Sequence, residues 1–272
     1  MKSPVADQGS GVATEFERRA ARAETLAGKT PAASEPLRFA AGLYRAQAAL
    51  AGVVAAAHAD EPLTGHLDDD VDRFLDRAPA IFRYAAESGP EALSADARSR
   101  EADEPSTRRT RLLVYWSGDR DSREDYLSRA VLRPYVETLR ALPVPPDRPH
   151  RQGRCPFCGG LPWVSARREG SMMEGARRLL ACALCGGEWP FGRILCPACG
   201  EQDPVRLPSF STEAHPAVRL EACETCRRYV KSLDLSEDAR PIPEVDDLVS
   251  LAMDLWAENE GFVRIEPGLA GL

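Results

Sequence analysis

All eight cysteines of this 272-residue chain lie between Cys155 and Cys226, and every one belongs to a Cys-x-x-Cys pair. The pairs are Cys155/Cys158, Cys182/Cys185, Cys196/Cys199 and Cys223/Cys226, with 23, 10 and 23 residues between them. This pattern limits the second half of the chain more than any hydrophobic periodicity does. Two cysteines at i and i+3 put both sulfurs on one ion when the backbone between them turns back, and four sulfurs close a tetrahedral site. The stretch 182–200, CALCGGEWPFGRILCPACG, poses the question of partnership, because its ten intervening residues could close a compact site on their own.

An internal repeat bears on that question. A shift of 41 residues lays CPFCGG (155–160) on CPACGE (196–201) and RLLACALC (178–185) on RLEACETC (219–226). All four cysteine positions coincide, together with an Arg, a Leu and an Ala ahead of the third cysteine. The repeat predicts one site from Cys155, Cys158, Cys182 and Cys185 and a second from Cys196, Cys199, Cys223 and Cys226. The rival pairing, Cys182/Cys185 with Cys196/Cys199, leaves Cys155/Cys158 to find Cys223/Cys226 across 64 residues. A glycine follows three of the pairs (Gly159, Gly186, Gly200) and supplies the positive φ that such a knuckle needs, whereas Arg227 follows the fourth. Closed four-thiolate sites suit Zn²⁺ or a single iron of the rubredoxin kind and are structural more often than catalytic. The four histidines (His58, His66, His150, His215) are not needed as ligands, and His215 reads as a solvent-facing or capping group.

The chain start, MKSPVADQGSGVATEFERR, lacks the apolar core of a secretory signal. The longest apolar run, FAAGLYRAQAALAGVVAAAH, is interrupted by Arg45 and Gln47 and reads as a buried helix, not a membrane insertion. A cytoplasmic location is the expectation, and there cysteine pairs are kept reduced for metal or redox work. A thioredoxin-like role needs one Cys-x-x-Cys at a helix start in a βαβ context, and that context is absent.

Residues 1–141 read as an α-helical domain. Helices are expected over VATEFERRAARAETLAG, over a long segment opened by Ser34 as N-cap with Pro36 in its first turn, and over DDDVDRFLDRAPAIFRYAAESG with a break or kink at Pro79. Further helices are expected over ALSADARSR, STRRTRLLVYWSG and SREDYLSRAVLRPYVETLRAL, the last opened by a Ser122/Asp125 capping box. Residues 142–150, LPVPPDRPH, hold four prolines and read as a linker. The first four-cysteine module is placed at 151–191 and the second at 192–235, with strands at LPWVSA, RRLLAC, PVRLPSF and AVRLEAC. Residues 236–272 form a helix ending near Gly261 and a short strand, FVRI. The predicted fold class is a mainly α N-terminal domain plus two small rubredoxin-like or zinc-ribbon-like four-cysteine metal modules, α with a little β.

No catalytic constellation is visible. Asp68–Asp70 and Asp246–Asp247 read as acidic helix N-termini, and Met172–Met173 as contact surface in the loop of the first module. The net charge of −7 gives no global pull towards nucleic acid. Residues 151–235 carry 12 basic and 9 acidic residues, an excess that two four-thiolate dication sites would cancel, although Arg227, Arg228 and Lys231 form a small cluster. Arginine makes up 32 of the 35 basic residues, which reads as coding bias and discounts single arginines as recognition signals.

The ordered runs CPFCGGLPWVS, CALCGGEWPFGRILCPACG and EACETCRRYVKSLD, followed by DDLVSLAMDLWAENEGFVR, resemble the FdhE family of formate dehydrogenase accessory proteins. The likeness covers about residues 150–266 and includes Trp189 and Phe191 after the second pair and the basic residue at 227. It implies an α-helical domain followed by two rubredoxin-like modules, with all eight cysteines as ligands of two metal ions, iron favoured over zinc. It further implies a non-catalytic, cytoplasmic maturation factor that binds the catalytic subunit of formate dehydrogenase, with room for a homodimer. The alternatives are a rubredoxin-like electron carrier and a zinc-ribbon nucleic-acid-binding protein; the charge distribution speaks against the second.

Overall fold

The structure, a computed structural model, describes residues 4–118, 123–168, 177–236 and 238–271, with side chains from residue 11 onward. The chain forms two compact units. One comprises Met1–Thr25 and Arg38–Pro149, the other Leu26–Leu37 and His150–Leu272. The helical region followed by a small sheet with two cysteine groups is the predicted fold class.

The first unit is built from α1 (Pro4–Ala27) up to Thr25, α2 (Ser34–Asp60) from Arg38, α3 (Leu67–Asp70), α4 (Pro79–Ser88), α5 (Glu91–Ala102), α6 (Pro105–Ser117) and α7 (Tyr126–Ala141). Helix α2 is long and apolar enough to cross a membrane by composition. Its Ala40, Leu43, Tyr44, Ala48, Ala51 and Val54 are nonetheless buried in the protein, and Gln47 donates to the Ala130 carbonyl at 2.8 Å. The helix expected over DDDVDRFLDRAPAIFRYAAESG is broken ahead of Pro79, by 3-10 turns at Val71–Arg73 and Leu75–Arg77, and Pro79 opens α4, where its missing N–H costs nothing. Ser122 lies outside the described residues; the N-cap of α7 is Asp125 itself, whose carboxylate accepts from Ser128 N at 2.9 Å.

Helix α7 is buried along its whole length from Leu127 to Leu139, so each of its charges needs a partner. Glu137 accepts from Arg133 at 2.7 Å and from Arg19 of α1 at 2.8 Å, and Asp125 accepts from Arg100 of α5 at 2.5 Å. The acidic start of α3 is more than a helix N-terminus. Asp70 is buried and accepts from Gly65 N at 3.0 Å and from Tyr135 Oη at 2.6 Å. Burial and that carboxylate push the Tyr135 phenol far above its ordinary pKa.

The second unit holds one sheet. Its strands are β1 (Pro162–Arg168), β2 (Arg177–Cys182), β3 (Glu188–Pro190), β4 (Ser209–Ser211), β5 (Val218–Cys223) and β6 (Arg228–Asp234). They are followed by α8 (Pro243–Asp246), α9 (Leu251–Asn259) and β7 (Val263–Arg264), the last pairing with β6. The order β3-β2-β1-β6-β5-β4 contains the 41-residue repeat twice, as two antiparallel three-stranded pieces with the same internal order. They join through the parallel pair β1–β6. The run PVRLPSF is a strand only at Ser209–Ser211, because Asp203 caps a one-turn helix at Pro204–Arg206. Strand β6 escapes a hydrophobic-pattern search because it is buried on both faces and includes Lys231 and Ser232 in that burial.

Lys231 explains why the C-terminal helix is not continuous. A 3-10 turn at Asp247–Ser250 separates α8 from α9 and turns carbonyls towards the fully buried ammonium, which donates to Asp247 O at 2.8 Å and Ser250 Oγ at 3.1 Å. Lys231 also pairs with the carboxylates of Asp247 and Asp254, and Arg264 bridges the same two acids at 2.9 and 3.3 Å. Arg264 reaches on to Trp163 O at 2.8 Å, and Tyr229 donates to Asp254 at 2.8 Å. Burial alone would raise the Asp247 pKa, but the charges of Arg264 and Lys231 outweigh it and hold the carboxyl below its usual range. Asp247 is thus a buried counter-ion and not a helix-end charge, and Lys231 is unavailable to a phosphate. Around this network Leu220, Ala222, Leu233, Met253, Ala257 and Phe262 bury the apolar face of the sheet.

Lys231→Met leaves two buried carboxylates to one guanidinium. It should lower unfolding stability by about 3–5 kcal/mol, the cost of breaking a buried pair by removing one partner. Denaturant titration of the metal-loaded protein, followed by circular dichroism, measures it.

Candidate metal centres

The four knuckles share one backbone design. In each, the residue after the second cysteine donates its N–H to the carbonyl of the first: Gly159 to Cys155 (2.9 Å), Gly186 to Cys182 (3.1 Å), Gly200 to Cys196 (2.9 Å) and Arg227 to Cys223 (2.9 Å). All four take a left-handed conformation, with φ of 67°, 64°, 81° and 56°. Arg227 therefore adopts the glycine geometry, a non-glycine penalty of about 1 kcal/mol or more. Its side chain offsets the penalty: the guanidinium lies 3.8 Å over the Phe262 ring and donates to Glu260 O and Glu224. The first cysteine of each pair also accepts backbone N–H bonds from within its own knuckle, as Cys182 does from Leu184 at 3.4 Å and Cys185 at 3.5 Å. Such donors disperse thiolate charge.

The structure brings Cys155, Cys158, Cys182 and Cys185 together in one group and Cys196, Cys199, Cys223 and Cys226 in another, with the sulfurs of each group within 4.8 Å of one another. Cys155–Cys185 and Cys158–Cys182 sulfurs are 3.6 and 3.4 Å apart; Cys196–Cys226 and Cys199–Cys223 are 3.8 and 3.7 Å apart. These separations are too long for disulfides, and all eight cysteines are free. Four sulfurs at about 2.3 Å from a tetrahedral zinc would be about 3.8 Å apart, so the donor sets fit a metal ion. No histidine joins either group among the described residues. Met172 and Met173 lie outside the described residues.

Electrostatics point the same way. Burial pushes the Cys182 thiol up, and hydrogen bonding with Cys155 pushes Cys158 and Cys185 up while Cys155 is held down. Four thiolates cannot share this enclosed space without a cation among them.

The two sites differ in access. Every cysteine of the first group is buried, whereas Cys199 is exposed and Cys226 half-buried. Gly160 accounts for part of the difference. A Cβ there would meet Cys182 Sγ at 2.7 Å and Cys158 Sγ at 3.3 Å. The repeat places Glu201 at the equivalent position, where its carboxylate turns outward to accept from Thr225 Oγ1 at 2.5 Å and from Gln202 N and Asp203 N at 2.9 Å. Those hydrogen bonds hold the Glu201 carboxyl below its ordinary pKa. Sequence reasoning passed over Gly160; its only signal was the doubled glycine in CPFCGG against CPACGE.

A family model described as FdhE, central domain, matches residues 154–193, and one described as FdhE, C-terminal domain, matches residues 194–269. Residues 154–269 match the FdhE family. An FdhE homolog of Aquifex aeolicus is 33% identical over 117 residues, 43% of this chain and 41% of the relative. Homologs of Pseudomonas putida and Pseudomonas aeruginosa are 34% identical over 149 residues and 35% over 119, covering 53% and 42% of this chain. They are themselves covered to 46% and 38%, so the chain spans less than half the length of the curated relatives it matches. The crystal structure of the FdhE protein from Pseudomonas aeruginosa superposes with a TM-score of 0.66 over 94% of both chains at 24% identity, a shared fold.

Gly160→Ala should strip the first site by driving a methyl group into two of its sulfurs. Metal analysis should fall by about one equivalent per chain. Gly200→Asn, where added atoms meet open space and asparagine tolerates the left-handed backbone, should leave the metal content unchanged.

Proposed function

We propose that each cysteine quartet holds one metal ion and that the protein is a non-catalytic accessory factor in the maturation of formate dehydrogenase, binding its catalytic subunit in the cytoplasm. The observation that carries this reading is the pair of four-sulfur groups within the stretch that matches both FdhE domain models. Cys155, Cys158, Cys182 and Cys185 are the ligands of one ion and Cys196, Cys199, Cys223 and Cys226 of the other. Iron is favoured from the family resemblance, and the sulfur geometry also suits zinc. Closed four-thiolate coordination leaves no open position for a substrate, which supports a structural or redox part for the metal and not Lewis-acid catalysis. Of the small basic cluster Arg227, Arg228 and Lys231, Lys231 is buried in an ion-pair network and Arg227 is stacked on Phe262, which weakens the nucleic-acid reading.

Anaerobically purified protein should contain two metal equivalents, and Cys158→Ser should lose about one, with reduced solubility, because metal binding and folding of such modules are coupled. The protein should co-purify with the formate dehydrogenase catalytic subunit from cells making both, and its deletion should abolish formate dehydrogenase activity. No association together with full activity in the deletion strain would refute the accessory role while leaving the metal sites intact.

A further inference from the structure

The 41-residue repeat gives the two cysteine quartets matched ligands but unmatched covers. The knuckle from Cys182 to Cys185 carries Ala183 and Leu184, exposed to only 1% and 2%. Their counterparts in the second module, Glu224 and Thr225, are exposed. Gly160 is buried against the sulfurs of Cys182 and Cys158, and its counterpart Glu201 is half-buried with its carboxylate turned outward. The ligands follow their covers. Cys158 is fully buried whereas its counterpart Cys199 is exposed, and Cys185 is buried whereas Cys226 is half-buried.

The backbone accounts for the opening. In the first module the chain turns back at once, and Leu161 O accepts from Ala183 N at 3.0 Å. In the second module the corresponding bond, from Glu224 N at 2.9 Å, is accepted by Arg206 O. The repeat would put that acceptor at Gln202; it lies four residues further on. The extra length is an exposed excursion over residues 202–206, with Val205 exposed to 86% and Asp203 capping a one-turn helix inside it. A hollow of about 210 Å³ also reaches this quartet, with Cys196, Pro197, Leu207 and Cys223 in its wall.

We propose that the second quartet is a metal-exchange site. It gives up and takes up a thiophilic divalent ion by ligand substitution that begins at Cys199, while the first quartet keeps its ion for as long as the unit stays folded. The inference rests on the reading of each quartet as the holder of one ion. An incoming chelator reaches a closed four-thiolate ion only where one sulfur can move off and be solvated. A Cys199 thiolate that leaves the ion enters water. A Cys158 thiolate would stay in the dry space beside Gly160 and Leu184 as an unpaired buried charge, which is costly. Release from the first quartet therefore requires local unfolding, and release from the second does not. The exchange moves the dication from four thiolates to the chelator without electron transfer, and the freed thiolates take up protons from water.

The test uses the full chain, reconstituted anaerobically with zinc and checked by metal analysis for two equivalents. It is challenged with EDTA in the presence of iodoacetamide, which alkylates each freed thiolate with loss of iodide. One equivalent should leave about tenfold faster than the other, the difference between an open site and one that must unfold locally. When half the zinc has left, peptide mass spectrometry should find Cys196, Cys199, Cys223 and Cys226 alkylated and Cys155, Cys158, Cys182 and Cys185 unmodified. The double variant Glu224→Ala, Thr225→Leu gives the second knuckle the cover of the first and should slow the fast phase by about threefold. With two equivalents bound at the outset, three results would overturn the exchange site alone: release in a single phase, a fast phase that maps to the first quartet, or an unslowed fast phase in the double variant. A chain that cannot hold two equivalents would overturn the two-metal reading, and the exchange site with it.

Discussion

The second unit is built around one electrostatic constraint: four cysteine sulfurs held at contact distance in a largely dry space can be ionised together only around a cation. Among the described residues none of its strands exceeds seven residues, and its apolar cluster is modest. The knuckles therefore do what a larger core would otherwise do, fixing where β2 ends and β3 begins, and where β5 ends and β6 begins. Because β2 and β5 run in the same direction and both end at a third cysteine, the two sites sit off the same end of the sheet. The other fixed point is the Lys231 network, which ties the central strand to the helices over the apolar face. Both place charge in a low-dielectric interior, and both are tolerable only because every buried charge has a partner.

The repeat made the metal region legible. Sequence spacing is a direct image of knuckle geometry, since i, i+3 cysteines with a left-handed residue behind them leave little conformational choice. Arg227 shows why a motif can survive the loss of its glycine: the backbone angle is kept, and the strain is offset by a side chain that stacks on Phe262. The pattern could not reveal that the two modules share one sheet, because β1 and β6 meet across more than sixty residues of chain.

Long-range pairing also hid the buried polar groups. Lys231, Asp247, Asp254 and Arg264 read individually as surface charges; their burial follows from a tertiary arrangement that no local window contains. Asp70 and Tyr135 in the helical unit repeat the lesson, as partners 65 residues apart. The helices themselves were visible through their apolar spacing; the spacing hid the 3-10 turns at Val71–Arg73, Leu75–Arg77 and Asp247–Ser250 that interrupt two of them.

The join between modules sets a limit on the architecture. β1 of the first repeat meets β6 of the second, the first strand of one copy against the last strand of the next, so the copies are related by a step along the sheet and not by a rotation that closes on itself. Such a step could in principle continue, since the outer edges present the same kinds of strand that meet at the seam. The array stops because its outer strands are stunted. β3 has three residues and ends in Pro190, and β4 has three residues and begins just after Pro208. Proline withholds a ladder donor, and a three-residue edge offers little to a newcomer. Duplication of one metal knuckle thus produced a finite pair, terminated at both rims, and not the seed of a fibre.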